Sequence, residues 1–110
     1  MTSTELWEIL VPASDNKDDR KFSYEHHKQW DAFVKNITGG LTVMKTANGQ
    51  WISPVTGVEY LDRVIPCRIA CSEEQIKEII AFTIEHYSQE AVMAYRISER
   101  VIIQHKNEKS

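Results

Sequence analysis

Apolar residues recur at helical spacing in two stretches of the chain. In the first stretch they follow the i, i+3, i+4, i+7 pattern of a single helix face: Trp30, Phe33, Val34 and Ile37. Ser23 is suited to cap the start of this helix, because its hydroxyl can accept from the free backbone N–H groups there. Gly39 tolerates the positive φ with which helices commonly end. The pattern therefore predicts a helix between Ser23 and Gly39.

The second stretch predicts a helix that begins after Ser72. Ser72 and Gln75 have the spacing of a capping box, and Glu73 and Glu74 suit the positive end of the helix dipole. An apolar stripe then continues along one face: Ile76, Ile79, Ile80, Thr83, Ile84 and Tyr87. This face is expected to pack against the core.

Runs of β-prone residues lie before, between and after these helices. The run ELWEILVP ends at Pro12 and is apolar on both sides, which predicts a strand buried on both faces. The run VEYLDRVIPCRIAC predicts a long strand, in which Pro66 belongs at an edge, a bulge or a kink because it has no N–H donor. Alternate residues of this strand are expected to face the core: Leu61, Ile65, Cys67, Ile69 and Cys71. AVMAYRI and VIIQH, joined at SER, predict either a hairpin or one long bent strand.

Turn chemistry is concentrated between residues 39 and 60. Asn48-Gly49 predicts a type I′ hairpin turn, because both central residues of that turn need positive φ. Pro54 and Gly57 predict a second turn that leads into the long strand.

The order of these elements predicts the fold class. Strand, helix, strands, helix and strand match the β-α-β-β-α-β pattern of an α+β ferredoxin-like sandwich, with two helices on one face of an antiparallel sheet and an extra β-hairpin at Asn48-Gly49. We expect one domain over residues 1–106 and a disordered polar tail over residues 107–110. Two helices cover only one sheet face, so the other must be polar, covered by loops or paired with a second copy.

Charge and composition narrow the possible partners. The formal charge of −3 and the scattered basic residues argue against a nucleic-acid-binding protein that depends on a basic face. No apolar run approaches the roughly 20 residues that cross a bilayer. The start, MTSTELWEIL, lacks the basic and apolar parts of a signal peptide. The sequence therefore predicts no nucleic-acid or membrane partner and a cytoplasmic location.

The histidines show no metal-binding spacing. His26 and His27 are adjacent, so on a helix they point about 100° apart and cannot chelate one ion as an i, i+4 pair can. No motif links them to His86 or His105. Hydrogen-bonding roles at the surface or in half-buried positions are expected for all four.

The cysteines give no disulfide. On a strand, Cys67 and Cys71 lie roughly 13 Å apart, beyond the reach of a disulfide. Two thiols facing the core are expected. Because no phosphate, dinucleotide or zinc motif and no nucleophile motif occurs either, the sequence predicts neither a metal nor a cofactor.

Candidate ligand-binding residues can still be named, although no catalytic residue can. Glu59 and Asp62 lie on the long strand near Trp51, where a carboxylate can orient a small ligand or join a cross-strand ion pair. Both alternatives stay open. The candidates for a ligand site are His26, Trp30, Gln50, Trp51, Glu59 and Arg63.

Large and polar side chains also remain for the open sheet face. They can form a shallow pocket or an interface between copies, because Tyr, Trp and Arg are enriched at interface centres. The members of this group are Trp51, Tyr60, Arg63, Arg68, Gln89, Tyr95 and Arg96.

The sequence resembles a family of small bacterial proteins of unknown function. The resemblance covers about two thirds of the chain and rests on a tryptophan in the first helix, a GLTV strand, a GQW hairpin followed by an acidic residue, and a glutamine that precedes the last strand. The matching positions are Trp30, Gly40-Leu41-Thr42-Val43, Gly49-Gln50-Trp51, Glu59, Gln89 and Val92. The resemblance implies an α+β fold and no particular activity.

Two functions from different classes follow. The first is a small bacterial α+β domain that associates as a homodimer through its open sheet face. The alternative is a small-ligand-binding protein or enzyme of the dimeric ferredoxin-like type, with a pocket between sheet and helices.

Overall fold

A computed structural model describes residues 2–15 and 20–107 of the chain. Within these ranges the elements are β1 (Thr2–Pro12), α1 (Tyr24–Thr38), β2 (Thr42–Val43), β3 (Ala47–Ile52), β4 (Glu59–Cys71), α2 (Glu73–Tyr87) and β5 (Ala94–Ile103). Of the predicted tail at 107–110, only Asn107 lies inside the described residues. Neither α1 nor α2 is long and apolar enough to cross a membrane, and the described residues form no other helix that could.

The helix α1 begins and ends as predicted, and α2 begins as predicted. The Ser23 hydroxyl accepts from the His26 N–H, and Gly39 takes a φ of +91° while its N–H donates to the Lys35 carbonyl. The side chains and backbones of Ser72 and Gln75 form the reciprocal capping box. These ends depend on neighbouring residues only, so the local sequence determines them.

The strands form one antiparallel sheet in the order β2-β4-β1-β5, and β3 pairs with β4 beyond β2. This arrangement confirms the α+β ferredoxin-like prediction. β2 and β3 lie one after the other along the same edge of β4, with residues 44–46 between them opposite residues 65 and 66 of β4. Pro66 therefore lies at a bulge, one of the positions predicted for it.

The turn predicted at Asn48-Gly49 is wrong. Both residues lie inside β3, paired with Arg63 and Asp62, and Gly49 has no positive φ. The chain turns instead at residues 53–58, where Gly57 has a φ of +74° as its predicted role requires. The extra hairpin is thus formed by β3 and the first half of β4, and we call it the arm (residues 47–64). The pairing of all six residues of β3 with β4 is more favourable than the local turn preference of Asn48-Gly49.

The core lies between the sheet and the helices. Its buried members come from β1, β4 and both helices: Ile9, Val11, Trp30, Val34, Cys67, Ile69, Cys71, Ile76, Ile79 and Tyr87. The alternation predicted for β4 is confirmed from Ile65 to Cys71, but Leu61 is 73% exposed because it lies in the arm, beyond the helices. On the other side of β1, Leu6 and Leu10 are only half-buried, so burial on both faces is incomplete.

The last segment of the chain, predicted as either a hairpin or one long bent strand, is a bent strand. β5 is continuous, and two register shifts against β1 bend it near Ser98. The residues SER therefore form bulges within one bent strand and not the turn of a hairpin.

Candidate functional site

A cavity of about 250 Å³ lies between the arm and the segment that joins α2 to β5. We call this segment, residues 88–93, the connector. Two hydrogen bonds hold it in place: the Leu10 N–H donates to the Met93 carbonyl (3.0 Å), and the Ser53 hydroxyl donates to Glu90 Oε1 (3.2 Å). The lining residues are Leu10, Pro12, Gly49, Gln50, Trp51, Asp62, Arg63, Val64, Gln89, Ala91, Val92 and Met93. Most of this wall is apolar.

The polar centre of the cavity is a carboxylate held by a tryptophan. Sheet register places Trp51 opposite Tyr60 and Gly49 opposite Asp62, so these residues share one face of the arm. The rings of Trp51 and Tyr60 stack with centroids 4.9 Å apart, and Trp51 Nε1 donates to Asp62 Oδ2 at 2.5 Å. The other oxygen, Asp62 Oδ1, is buried and has no hydrogen-bond partner among the described residues.

A smaller cavity of about 120 Å³ adjoins the first. The two share Trp51, Asp62, Gln89 and Ala91. Asp15 and Glu90 also line the smaller one, so three carboxylates surround the two cavities. Among the described lining residues, Arg63 on the larger side is the basic one.

The structure brings three of the six predicted site residues to the cavity and leaves the other three outside it. Gln50, Trp51 and Arg63 line the cavity. Glu59 is exposed at the outer end of the arm, opposite Ile52, and does not reach it. Their role in ligand binding stays a prediction. The residues that complete the cavity come mainly from the connector, for which the sequence pattern carries no signal beyond Gln89.

Trp30 and His26 lie elsewhere, in and beside the helix layer. Trp30 is 1% exposed and donates through Nε1 to Thr83 Oγ1 at 2.8 Å. His26 Nε2 donates to the His86 carbonyl (2.6 Å), His86 Nε2 donates to the His26 carbonyl (2.8 Å), and their rings stack with centroids 3.8 Å apart. Because a carbonyl only accepts, each Nε2 must carry the proton. These two residues tie α1 to α2.

His27 completes this half-buried histidine group. Its Nδ1 is 2.7 Å from the Tyr87 hydroxyl. Burial lowers the pKa of His27, and the nearby His26 adds to this effect. The hydrogen-bonding roles predicted for His26, His27 and His86 are confirmed.

A second polar group lies on the open sheet face. Glu8 is 7% exposed, accepts a hydrogen bond from Arg68 Nε at 2.9 Å and accepts another from the Tyr95 hydroxyl through Oε2. The Tyr95 hydrogen bond lowers the pKa of Glu8 most, and Arg68 acts in the same direction against the effect of burial. The open face is thus apolar at Leu6 and Leu10, and the Glu8 carboxylate between them is paired with Arg68.

The cysteines face the core as expected. Both are free and buried, and burial raises the pKa of Cys67 to about 12 and that of Cys71 to about 11. Neither thiol is reactive near neutral pH. Within the described parts of the chain, no three His, Cys, Asp or Glu side chains are grouped to hold a metal.

Comparison with known proteins places the fold among solved structures. No family model and no curated protein sequence matches the chain. A phage SAM lyase solved in complex with S-methyl-5′-thioadenosine superposes with a TM-score of 0.67 at 11% identity, over 96% of this chain and 93% of the lyase. The divalent cation tolerance protein CutA1 from Thermus thermophilus superposes with a TM-score of 0.55 at 14% identity, over 89% of this chain and 86% of CutA1. At these identities the likeness shows the fold alone.

Proposed function

We propose that this protein assembles with copies of itself through the arm and the open sheet face. The observation that carries the proposal is the placement of its exposed apolar side chains. Of the large hydrophobic residues that are exposed in the described chain, all but Tyr24 lie on or beside the strands. Exposed apolar surface of this kind marks protein interfaces.

The arm shows the feature most clearly. Four aliphatic side chains are at least half exposed on it: Ile52 (65%), Val55 (82%), Val58 (50%) and Leu61 (73%). The molecule measures 53 × 29 × 22 Å, with a radius of gyration of 15.4 Å. A compact chain of this length has a radius near 13 Å. The arm therefore projects from the body and lacks intramolecular contacts on its outer side, which a second copy can supply.

The edges of the sheet support the same proposal. Among the described strands, β5 pairs with β1 only and β3 pairs with β4 only. Each thus presents unpaired backbone groups, with Ile97 (41%) and Ile102 (51%) exposed along β5. Backbone pairing together with apolar burial is a common basis for association.

Light scattering coupled to size exclusion tests the proposal at tens of micromolar protein. The wild-type mass should be at least twice the 12.7 kDa of the single chain. The variant Ile52→Glu/Leu61→Glu should shift towards the single chain, because both residues lie on the outer face of the arm and are exposed in the monomer. Tyr24→Glu, on α1, is the matched control and should keep the wild-type mass. A wild-type mass of 12.7 kDa would refute self-association.

The cavity favours a second candidate, binding of a small molecule. Ligand sites are concave and largely apolar with a few placed polar groups, and the wall around Trp51 and Asp62 has this composition. Its volume suits a compact ligand. Five of the eleven residues that carry the resemblance to small bacterial proteins also line the cavity: Gly49, Gln50, Trp51, Gln89 and Val92. That resemblance, and with it a bacterial and cytoplasmic origin, forms part of the proposal.

Thermal shift with a metabolite panel tests the second candidate. S-methyl-5′-thioadenosine belongs in the panel because it is the compound bound by the phage lyase of similar fold. A true ligand at a hundred times its dissociation constant stabilises the fold by about 2.7 kcal/mol. Ala91→Phe, which places a ring at the wall shared by the two cavities, should abolish the shift. A compound that shifts both proteins equally binds elsewhere.

A further inference from the structure

We propose that the cavity beneath the arm binds a small organic cation, such as an amine or an amidine, with Asp62 as its counter-charge. The inference rests on the second candidate function, since it requires the cavity to bind a small molecule. It adds the chemical class of the ligand and the residue that selects it.

The first argument is the incomplete hydrogen bonding of Asp62. Trp51 donates to Oδ2 at 2.5 Å, whereas the accessible area of Oδ1 is below 1 Å² and no described group donates to it. A buried carboxylate oxygen without a donor is unfavourable, because it has lost its hydration without replacement. Asp62 lines both cavities, so a cation in either one lies beside this carboxylate and compensates its charge. A cation in the cavity would therefore compensate the charge of this carboxylate without having to reach Oδ1 itself.

The second argument is the aromatic and apolar surroundings. Trp51 lines both cavities and is stacked on Tyr60, which fixes the plane of its ring. The face of an indole attracts cations, and planar guanidinium and amidinium groups also stack on it. Leu10, Val64 and Val92 provide apolar wall for the body of the ligand. The site thus combines a place for charge with a place for hydrocarbon.

The third argument is the balance of charge around the cavities. Asp15 and Glu90 join Asp62 at the smaller cavity. Arg63 is the basic residue at the larger one, but it is exposed and follows Asp62 directly in β4, so their side chains project to opposite faces of the arm. Among the described residues, the charge at the wall shared by the two cavities is therefore that of the Asp62 carboxylate, which repels an anionic ligand and attracts a cationic one.

Three compounds of the same planar frame separate charge from shape: benzamidine, benzamide and benzoate carry positive, zero and negative charge at neutral pH. Their affinities are measured by titration while the indole N–H signals are followed by NMR. We expect benzamidine to bind tightest, by roughly tenfold over benzamide, and benzoate weakest. Raising the salt concentration should weaken benzamidine and leave benzamide unchanged.

Asp62→Asn tests the residue. The amide keeps the size of the side chain and an oxygen that can accept from Trp51, but it removes the charge. The preference for benzamidine over benzamide should disappear in this variant while benzamide still binds. Glu59→Gln, an exposed carboxylate on the same arm outside the cavity, is the matched control and should retain the preference.

The outcomes distinguish the two proposals. If benzamide binds as tightly as benzamidine, the cation inference is overturned while binding in the cavity stands. If Asp62→Asn binds benzamidine like wild type, the cation is held elsewhere and the inference is again overturned. If none of the three compounds perturbs the cavity, the cation inference is overturned, while the metabolite panel still decides the second candidate function. The charge series needs no variant, so it decides the question even if Asp62→Asn does not fold.

Discussion

The contact between Trp30 and Thr83 permits the sharpest stability prediction. Both side chains are buried, and Thr83 Oγ1 accepts from Trp30 Nε1 at 2.8 Å while donating to the Ile79 carbonyl at 2.6 Å. Thr83→Val replaces the hydroxyl by a methyl group of similar size. The packing is therefore retained, but the indole N–H loses its acceptor in a region without water access.

The expected cost follows from that single orphaned donor. An unsatisfied buried polar group costs about 1–3 kcal/mol, so we expect Thr83→Val to lower the free energy of unfolding by about 2 kcal/mol. With an unfolding entropy of about 2.1 cal/mol/K per residue, the melting temperature of this chain should fall by roughly 9 °C. Urea denaturation followed by circular dichroism measures the free energy, and a thermal melt measures the temperature.

A double-mutant cycle separates this effect from the general effect of the substitution. In a Trp30→Phe background there is no indole donor, so Thr83→Val should cost less than about 0.5 kcal/mol. Thr46→Val, at an exposed position, is the matched control and should change stability by no more than about 0.5 kcal/mol. An equal cost of Thr83→Val in both backgrounds would show that the hydrogen bond is not the cause.

Three further predictions concern the turn of the arm and the two polar groups. Gly57→Ala should destabilise by about 1 kcal/mol because its φ is +74°. Gly49→Ala should be neutral, because Gly49 lies in extended backbone and an added Cβ would meet Asp62 Cβ only at an ordinary contact distance of 3.8 Å. Equal costs of the two substitutions in chemical denaturation would contradict the strand assignment. Burial lowers the pKa of His27 below its ordinary 6.5. The stability that depends on neutral His27 is therefore present above pH 6.5 and is lost as the pH falls through the lowered pKa. His27→Gln should flatten this loss in thermal melts from neutral to mildly acidic pH. The pKa of Glu8 is lowered mainly by Tyr95, so Tyr95→Phe should cost about 1 kcal/mol at neutral pH and less as the pH falls well below 4.5; a pH-independent cost would refute the link.

Local signals in the sequence predicted the helices well. Ser23, Gly39 and the Ser72–Gln75 pair find their hydrogen-bond partners within about one helical turn, so these helix ends form without any distant contact. Asn48-Gly49 misled for the opposite reason. Its turn preference is local, but its partners in β4 lie 13 and 15 residues further along the chain, and those pairings decide its conformation.

The candidate site was predictable only in part. Gln50, Trp51 and Arg63 reach the cavity because they lie near Asp62 in the same hairpin. Trp30, one of the six candidate ligand residues, lies in the core, and its place in the apolar helix stripe accounts for this position. The residues of the connector line the cavity because α2 ends close to the arm. The sequence pattern predicts where α2 lies in the chain but not its distance from the arm in space.

One strand carries both the core and the arm. The thirteen residues of β4 extend roughly 43 Å, and the half that packs under the helices sets which way every side chain in the outer half points. Deleting one residue between Tyr60 and Val64 would exchange inside for outside, turning Leu61 towards the connector and Asp62 towards solvent. Insertion or deletion of two residues in this segment should therefore be tolerated better than that of one, because two residues restore the alternation of the side chains. The half of β4 in the core thus determines the orientation of the side chains in the arm.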